Sequence, residues 1–310
     1  MASGVCGAIN GIEKLIVVNE NDSGVYFSPN NLLKAYCTGK VNGQTGICFS
    51  YADMISSSVL FLLKLLETSY DYEDYLKNDK LAEYAILWLS YKLNKYPQNK
   101  ITTLNDFYTK HIEKNKYYNE EITKSSDKKT YKDIIDRKHD LMNIGIKDMS
   151  KFYEALKSLC DMYNELDKDN QDCGNCSQKA NEFVAIFEKL NGNSDITGNS
   201  SYRQILYTLS TDYDDFKNNF AKKCSSYSDI PALSAIKTPL ILLIARKLIP
   251  VLLAFAIPIF LGIAYKYSLF GFDKRLHIQY LREKRKKIKK KVYNYILFEE
   301  SDYSRNSNNY

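Results

Sequence analysis

The run LIPVLLAFAIPIFLGIAY, residues 248–265, decides the architecture of this chain. It carries no charge over 18 residues, and 11 of them are Leu, Ile, Val or Phe. On a membrane-insertion scale these contribute roughly −0.3 to −0.6 kcal/mol each, so about −5 kcal/mol in sum. Pro250, Pro258 and Gly262 subtract from that total but are tolerated in membrane helices. At about 1.5 Å per residue the run spans roughly 27 Å, near the thickness of the hydrocarbon layer. It predicts a single transmembrane helix, with its ends at Leu248 and Tyr267. The alternative is a buried core helix, but core helices seldom hold so long an uncharged run beside a polybasic block. A second apolar run, Pro239–Ala245, lies just upstream. Reading both as one span would bury Arg246 and Lys247, at about 2.5–3.5 kcal/mol per charge. That pair is therefore placed at the interface or snorkelling towards it.

Working outward, the flanks differ in charge. The chain has 310 residues and a net charge of +6. Residues 266–310 hold 12 Lys/Arg against 5 Asp/Glu, whereas residues 1–230 hold 28 against 32. Downstream of the uncharged run lie Lys266, Lys274, Arg275, Arg282, Lys284, Arg285, Lys286, Lys287, Lys289, Lys290 and Lys291. Upstream there are only Lys237, Arg246 and Lys247. The more basic side stays cytoplasmic, so the tail is expected inside and the N-terminal part outside. No cleavable signal peptide is visible at the N-terminus, so the span is expected to act as its own insertion signal. Beside a membrane helix, attraction of the basic tail to anionic lipid is the simplest account of its charge, at about 1 kcal/mol per residue near the surface. An acidic or cytoskeletal protein partner is the rival, and nucleic acid is set aside because the folded part is mildly acidic. Lysine outnumbers arginine 36 to 7, and Tyr and Asn each reach 26, a bias of AT-rich codons and weak evidence for any binding chemistry.

Upstream, apolar residues recur at helical spacing. The predicted helices are Ala52–Thr68, Leu81–Tyr96 (stopped by Pro97), Met149–Leu166, Cys176–Leu190 and Tyr202–Phe220. Ser28-Pro29 reads as a helix start. Residues 115–130 read as a mobile polar excursion, and 191–201 as a turn-rich loop. No sustained alternation of period two is present. The expectation is an all-α fold: a disulfide-stabilised helical ectodomain (1–235), a juxtamembrane segment (236–247), one transmembrane helix (248–267) and a basic helical cytoplasmic tail (268–310).

All seven cysteines, Cys6, Cys37, Cys48, Cys160, Cys173, Cys176 and Cys224, precede the span. That distribution fits an oxidising compartment, and an odd number leaves at least one free or paired with another chain. Cys37 and Cys48 bracket a short Gly-rich loop, where a bridge would contribute roughly 3 kcal/mol. Cys173-Gly-Asn-Cys176 is a CxxC. A redox pair would want a βαβ setting, and zinc would need two more close ligands. Structural disulfides with partners such as Cys160 and Cys224 are the reading adopted, with connectivity left open.

Catalytic constellations are missing from the sequence. His111, His139 and His277 are scattered, and there is no GxSxG, P-loop, GxGxxG or HExxH. Carboxylate pairs such as Glu120/Glu121 and Asp214/Asp215 read as solvated faces. Asn21, Asn175 and Asn199 match the short N-x-[ST] pattern. No cofactor or metal is expected, and no enzymatic function.

The run GIAYKYSLFGFDKRLHIQYLREKRKKIKKK (262–291), followed by YILFEESDYSRNSNN (295–309), closely resembles the C-terminus of the Plasmodium interspersed repeat (PIR) variant-antigen family, rodent-malaria branch. SDITGNSS (194–201), LSTDYDDFK (209–217) and the spacing of Cys6, Cys37 and Cys48 extend the resemblance upstream. Asp273 departs from the basic residue usual there. The resemblance implies a helical ectodomain on one membrane helix. It implies a multigene antigen exported towards or displayed on the infected red cell, meeting host receptor or antibody and serving immune evasion. A scaffold at an internal membrane, recruiting partners through the basic tail, is the alternative. The family supplies no catalytic residue to carry over.

Overall fold

The computed structural model describes residues 2–21, 24–70, 79–98, 100–122, 128–168, 172–227, 230–238, 251–263 and 279–293. The chain divides into two units, 1–239 and 240–310.

In the first unit, α1 (Ala2–Glu13) buries Val5, Ile9 and Ile12, one stripe at helical spacing. A hairpin follows, β1 (Ile16–Asn21) antiparallel to β2 (Gly24–Pro29), with Val18 opposite Phe27. Ser28-Pro29 thus ends a strand rather than starting a helix. The cap is Asn30, whose side chain accepts from the Leu32 amide at 3.0 Å to open α2 (Asn31–Lys34). A second hairpin pairs β3 (Gly39–Val41) with β4 (Gln44–Ile47). Its two turn residues, Asn42 and Gly43, both have left-handed backbones (φ 48° and 85°), as a tight hairpin turn requires. The two hairpins correct the all-α expectation. Their strands are short and largely exposed, so burial imposes no long alternation on them.

The long helices form the core. They are α3 (Tyr51–Ser69), α4 (Asp79–Lys95), α7 (Ile146–Leu166), α8 (Cys173–Asn191) and α10 (Ser200–Lys223). Between them run α5 (Leu104–Phe107), which continues into a π-turn at Tyr108–Ile112, α6 (Tyr131–Asp136) and α9 (Ser194–Gly198). α4 packs on α7, α7 also holds α8 and α10, and α1 packs on α3 and α7. Capping boxes start three elements: Ser50/Asp53 at α3, Thr103/Asp106 at α5 and Thr130/Asp133 at α6. Trp88 and Tyr84 on α4 are fully buried, which places α4 at the centre of the unit.

Two loop expectations change. In 115–130, Tyr118 is fully buried and donates to the Ser56 carbonyl at 2.7 Å, and Ile122 is buried with it, whereas residues 123–127 lie outside the described residues. The polar composition conceals these two anchors. In 191–201, Asn193 and Asn199 are caps: α9 and then α10 begin behind them. Residues rich in Asn and Ser favour helix starts as well as turns, because their side chains satisfy free amides at either.

In the second unit, residues 251–263 and 279–293 are helical. Among the described residues no helix is long and apolar enough to cross a membrane. The predicted span ends, Leu248 and Tyr267, lie outside the described residues, so only the middle of the predicted span is seen. That middle exposes nearly every apolar side chain, Phe255 and Phe260 by 68% and 70%.

Candidate interaction surface

Three disulfides fix the first unit. Cys6–Cys160 joins α1 to α7, with Cα atoms 5.0 Å apart. Cys37–Cys48 closes the second hairpin at 5.1 Å. Cys173–Cys224 ties the start of α8 to the end of α10 at 5.8 Å. Cys176 is the free cysteine, and it is fully buried. Burial, then the nearby Glu165 and Asp172 carboxylates, push its thiol up. The CxxC is therefore split: Cys173 is bridged and Cys176 packs in the core.

Charges missed by the sequence reading lock the helices together. Asp212 on α10 is wholly buried and accepts from the Tyr84 hydroxyl and, at 3.1 Å, from Lys80 Nζ, both on α4. The Tyr163 hydroxyl on α7 donates to the Asp212 carbonyl at 3.1 Å. Burial and the Asp212 carboxylate push the Tyr84 phenol well up. Glu83, also buried, sits 3.3 Å from Lys138 Nζ, while its Oε1 has no hydrogen-bond partner among the described residues. Glu13 on α1 accepts from Trp88 Nε1 at 2.8 Å and from Lys92 Nζ at 2.5 Å. The apolar stripe along any one helix cannot reveal such pairs, because their members come from different segments of the chain.

The scattered histidines serve structure where they are described. His111 Nδ1 lies 3.1 Å from Asp53 Oδ1, the capping carboxylate of α3. That bond, with those from Ser50, holds the Asp53 carboxyl below the usual range. His139 packs edge-on against Tyr108, and His277 lies outside the described residues. Glu120 pairs with Lys64 at 2.8 Å. Among the described residues, no three His, Cys, Asp or Glu side chains are grouped to hold a metal.

The segment after α10 is held by the fold. The Tyr213 hydroxyl donates to the Pro231 carbonyl at 2.7 Å. The Glu188 carboxylate accepts from the Ser234 amide and hydroxyl at 2.9 and 2.6 Å. Asn191, fully buried, donates to the Ala235 carbonyl at 3.0 Å and accepts from the Lys237 amide at 2.8 Å. Two ends of one amide thus strap residues 230–237 onto α8.

The first unit exposes seven large apolar side chains among its described residues. Five of them, Val17, Tyr26, Leu32, Val41 and Phe49, come from the hairpin segment. Phe49 is 66% exposed, and its ring lies over Gly39. A Cβ at Gly39 would strike the Ile47 carbonyl and that ring, so the residue must be glycine. This segment is the candidate interaction surface. The basic residues Arg282, Lys284, Arg285, Lys286, Lys287, Lys289, Lys290 and Lys291 all fall on the exposed helix 279–293, whereas Lys274 and Arg275 lie outside the described residues.

The described part of the first unit is a mostly helical domain pinned by three disulfides. The model of the Plasmodium variant antigen protein family Cir/Yir/Bir matches residues 6–266, and the chain belongs to that family. Among solved structures, "Structure of a Plasmodium PIR protein ectodomain" matches with a TM-score of 0.56 and 39% identity, covering 76% of this chain and 99% of that one. No curated protein matches.

Proposed function

We propose that this chain is a variant membrane antigen of the malaria parasite, exported towards or displayed on the infected red cell, whose helical ectodomain meets host receptor or antibody without catalysis. The observation that carries the reading is membership of the variant-antigen family, joined to a match of 76% of the chain with a PIR protein ectodomain. Residues 248–267 anchor it, with the N-terminal unit outside and the basic tail in the cytoplasm. The exposed apolar helix 251–263 supports that anchor, since so many uncovered Phe, Leu and Ile side chains are costly in water. The hairpin segment is the contact region, because it holds five of the seven large apolar side chains exposed among the described residues of the unit.

Protease added to intact, unpermeabilised infected red cells tests the topology. Antibodies to residues 1–230 and to the tail should report loss of the first and protection of the second. Protection of both would move the protein to an internal membrane. That is the setting of a second reading, a scaffold that recruits partners through its tail, which the polybasic helix 279–293 favours.

A further inference from the structure

The tail helix holds more order than its charge alone accounts for. Residues 279–293 carry eight Lys/Arg against one Glu. At about 100° per residue, Leu281, Ile288 and Val292 fall within roughly 40° of arc on one side of the helix. All three are about half exposed, at 49%, 55% and 52%. Lys284 and Lys291 line one shoulder of this stripe, and Arg285, Lys289 and Arg282 the other, with Arg285 directly beside Val292. Lys290 and Glu283 lie on the opposite face.

The charge pattern opposes a helix in water. Arg282/Lys286, Arg285/Lys289, Lys286/Lys290 and Lys287/Lys291 are like charges one turn apart, and such pairs destabilise an isolated helix. A segment of this length is marginal even without that repulsion. A surface that neutralises the shoulders while covering the stripe removes both penalties. A second copy of the chain fails this requirement, because its shoulders carry the same sign. An anionic lipid surface meets it: the basic heads reach the phosphates while their stems lie along the apolar stripe.

We propose that helix 279–293 lies flat in the headgroup layer of an anionic leaflet, with Leu281, Ile288 and Val292 inserted and the two basic shoulders on lipid phosphate and carboxylate groups. The proposal rests on the reading that residues 248–267 cross the membrane beside it.

The test uses the full chain carrying an environment-sensitive fluorophore at Ile288→Cys or at Lys290→Cys. Cys176, the native free thiol, is buried away from the reagent. Each labelled protein is reconstituted into vesicles of phosphatidylcholine alone or with phosphatidylserine. Emission from position 288 should shift to the blue in the phosphatidylserine vesicles only, and return at high salt. Position 290 should stay at its aqueous value throughout. Equal emission at 288 and 290 in anionic vesicles overturns the proposal, as does a shift at 288 that needs added acidic protein rather than lipid. Resistance to alkaline carbonate extraction is scored on the same samples. Its loss would overturn the membrane span, whereas retained resistance with an aqueous 288 would overturn the tail docking alone.

Discussion

The two units of this chain use one amino-acid alphabet under opposite rules. In the first, Trp88, Phe152 and Phe183 are fully buried, and the charges that enter the core, such as Asp212, come with partners. In the second, Phe255 and Phe260 stand open along helix 251–263, and the helix 279–293 gathers one sign of charge on an exposed surface. A folded unit in water hides apolar area within itself. A segment that leaves it uncovered supports the proposal that residues 248–267 face lipid. The contrast teaches that exposure reads differently in the two units: in the first it marks a candidate contact segment, in the second it supports the proposed anchor.

The comparison breaks first at the anchor. Phe255→Arg with Ile259→Arg should cost membrane insertion about 5–7 kcal/mol in sum. The variant should be released by alkaline carbonate, yet still bind a conformation-specific antibody to residues 1–239. Loss of both signals would mean that the units are not energetically separate. The next effect is in the first unit. The bridges close separations of 154, 51 and 11 residues. Chain entropy then ranks their removal as Cys pairs to Ser at about 5, 4 and 3 kcal/mol, with Cys6–Cys160 the largest. Urea midpoints of a fragment covering 1–239 should fall in that order. Smaller again, Asp212→Ala leaves the buried Tyr84 hydroxyl without its acceptor, at about 2 kcal/mol, whereas Asp214→Ala, at a solvated position, should leave the midpoint unchanged.

Much of this was legible in advance. The five long helices follow from apolar stripes, because each buries one face against neighbours. Asn42-Gly43 was the missed signal for the second hairpin: the pair is among the strongest short-range turn signatures, but its flanking strands are too short to alternate visibly. Three S/T-x-x-D boxes marked helix starts that periodicity left vague, since capping is set by one side chain rather than a stripe. Asp212, Glu83, Glu13 and Asn191 could not be found this way. Their partners lie on distant segments, so a polar residue bound for the core reads like one bound for water. The hairpin face escaped for the opposite reason: exposed Tyr26 and Phe49 look like core candidates until a structure leaves them out.

The finest test sets two carboxylates of the first unit against each other. His111 and Ser50 hold the Asp53 carboxyl below the usual range. A depressed folded-state value contributes stability that is present above the unfolded value and lost as pH falls through the folded one. Asp53→Asn should therefore cost about 1 kcal/mol at pH 7, and the gap to the parent protein should close as pH drops below about 4. Burial raises Glu83 instead, only partly opposed by Lys138, with Lys80 also acting on it. A raised value contributes stability that is complete below the unfolded value and lost as pH climbs through the folded one. Relative to Glu83→Gln, the parent should thus lose stability as pH rises from about 4, by at most about 1.4 kcal/mol per pH unit. Urea titrations across pH 3–8 should show the two difference curves sloping in opposite directions. Parallel curves would mean that the buried Glu83 carboxylate is as well satisfied as the capping one, and that its lone Oε1 meets water inside the fold.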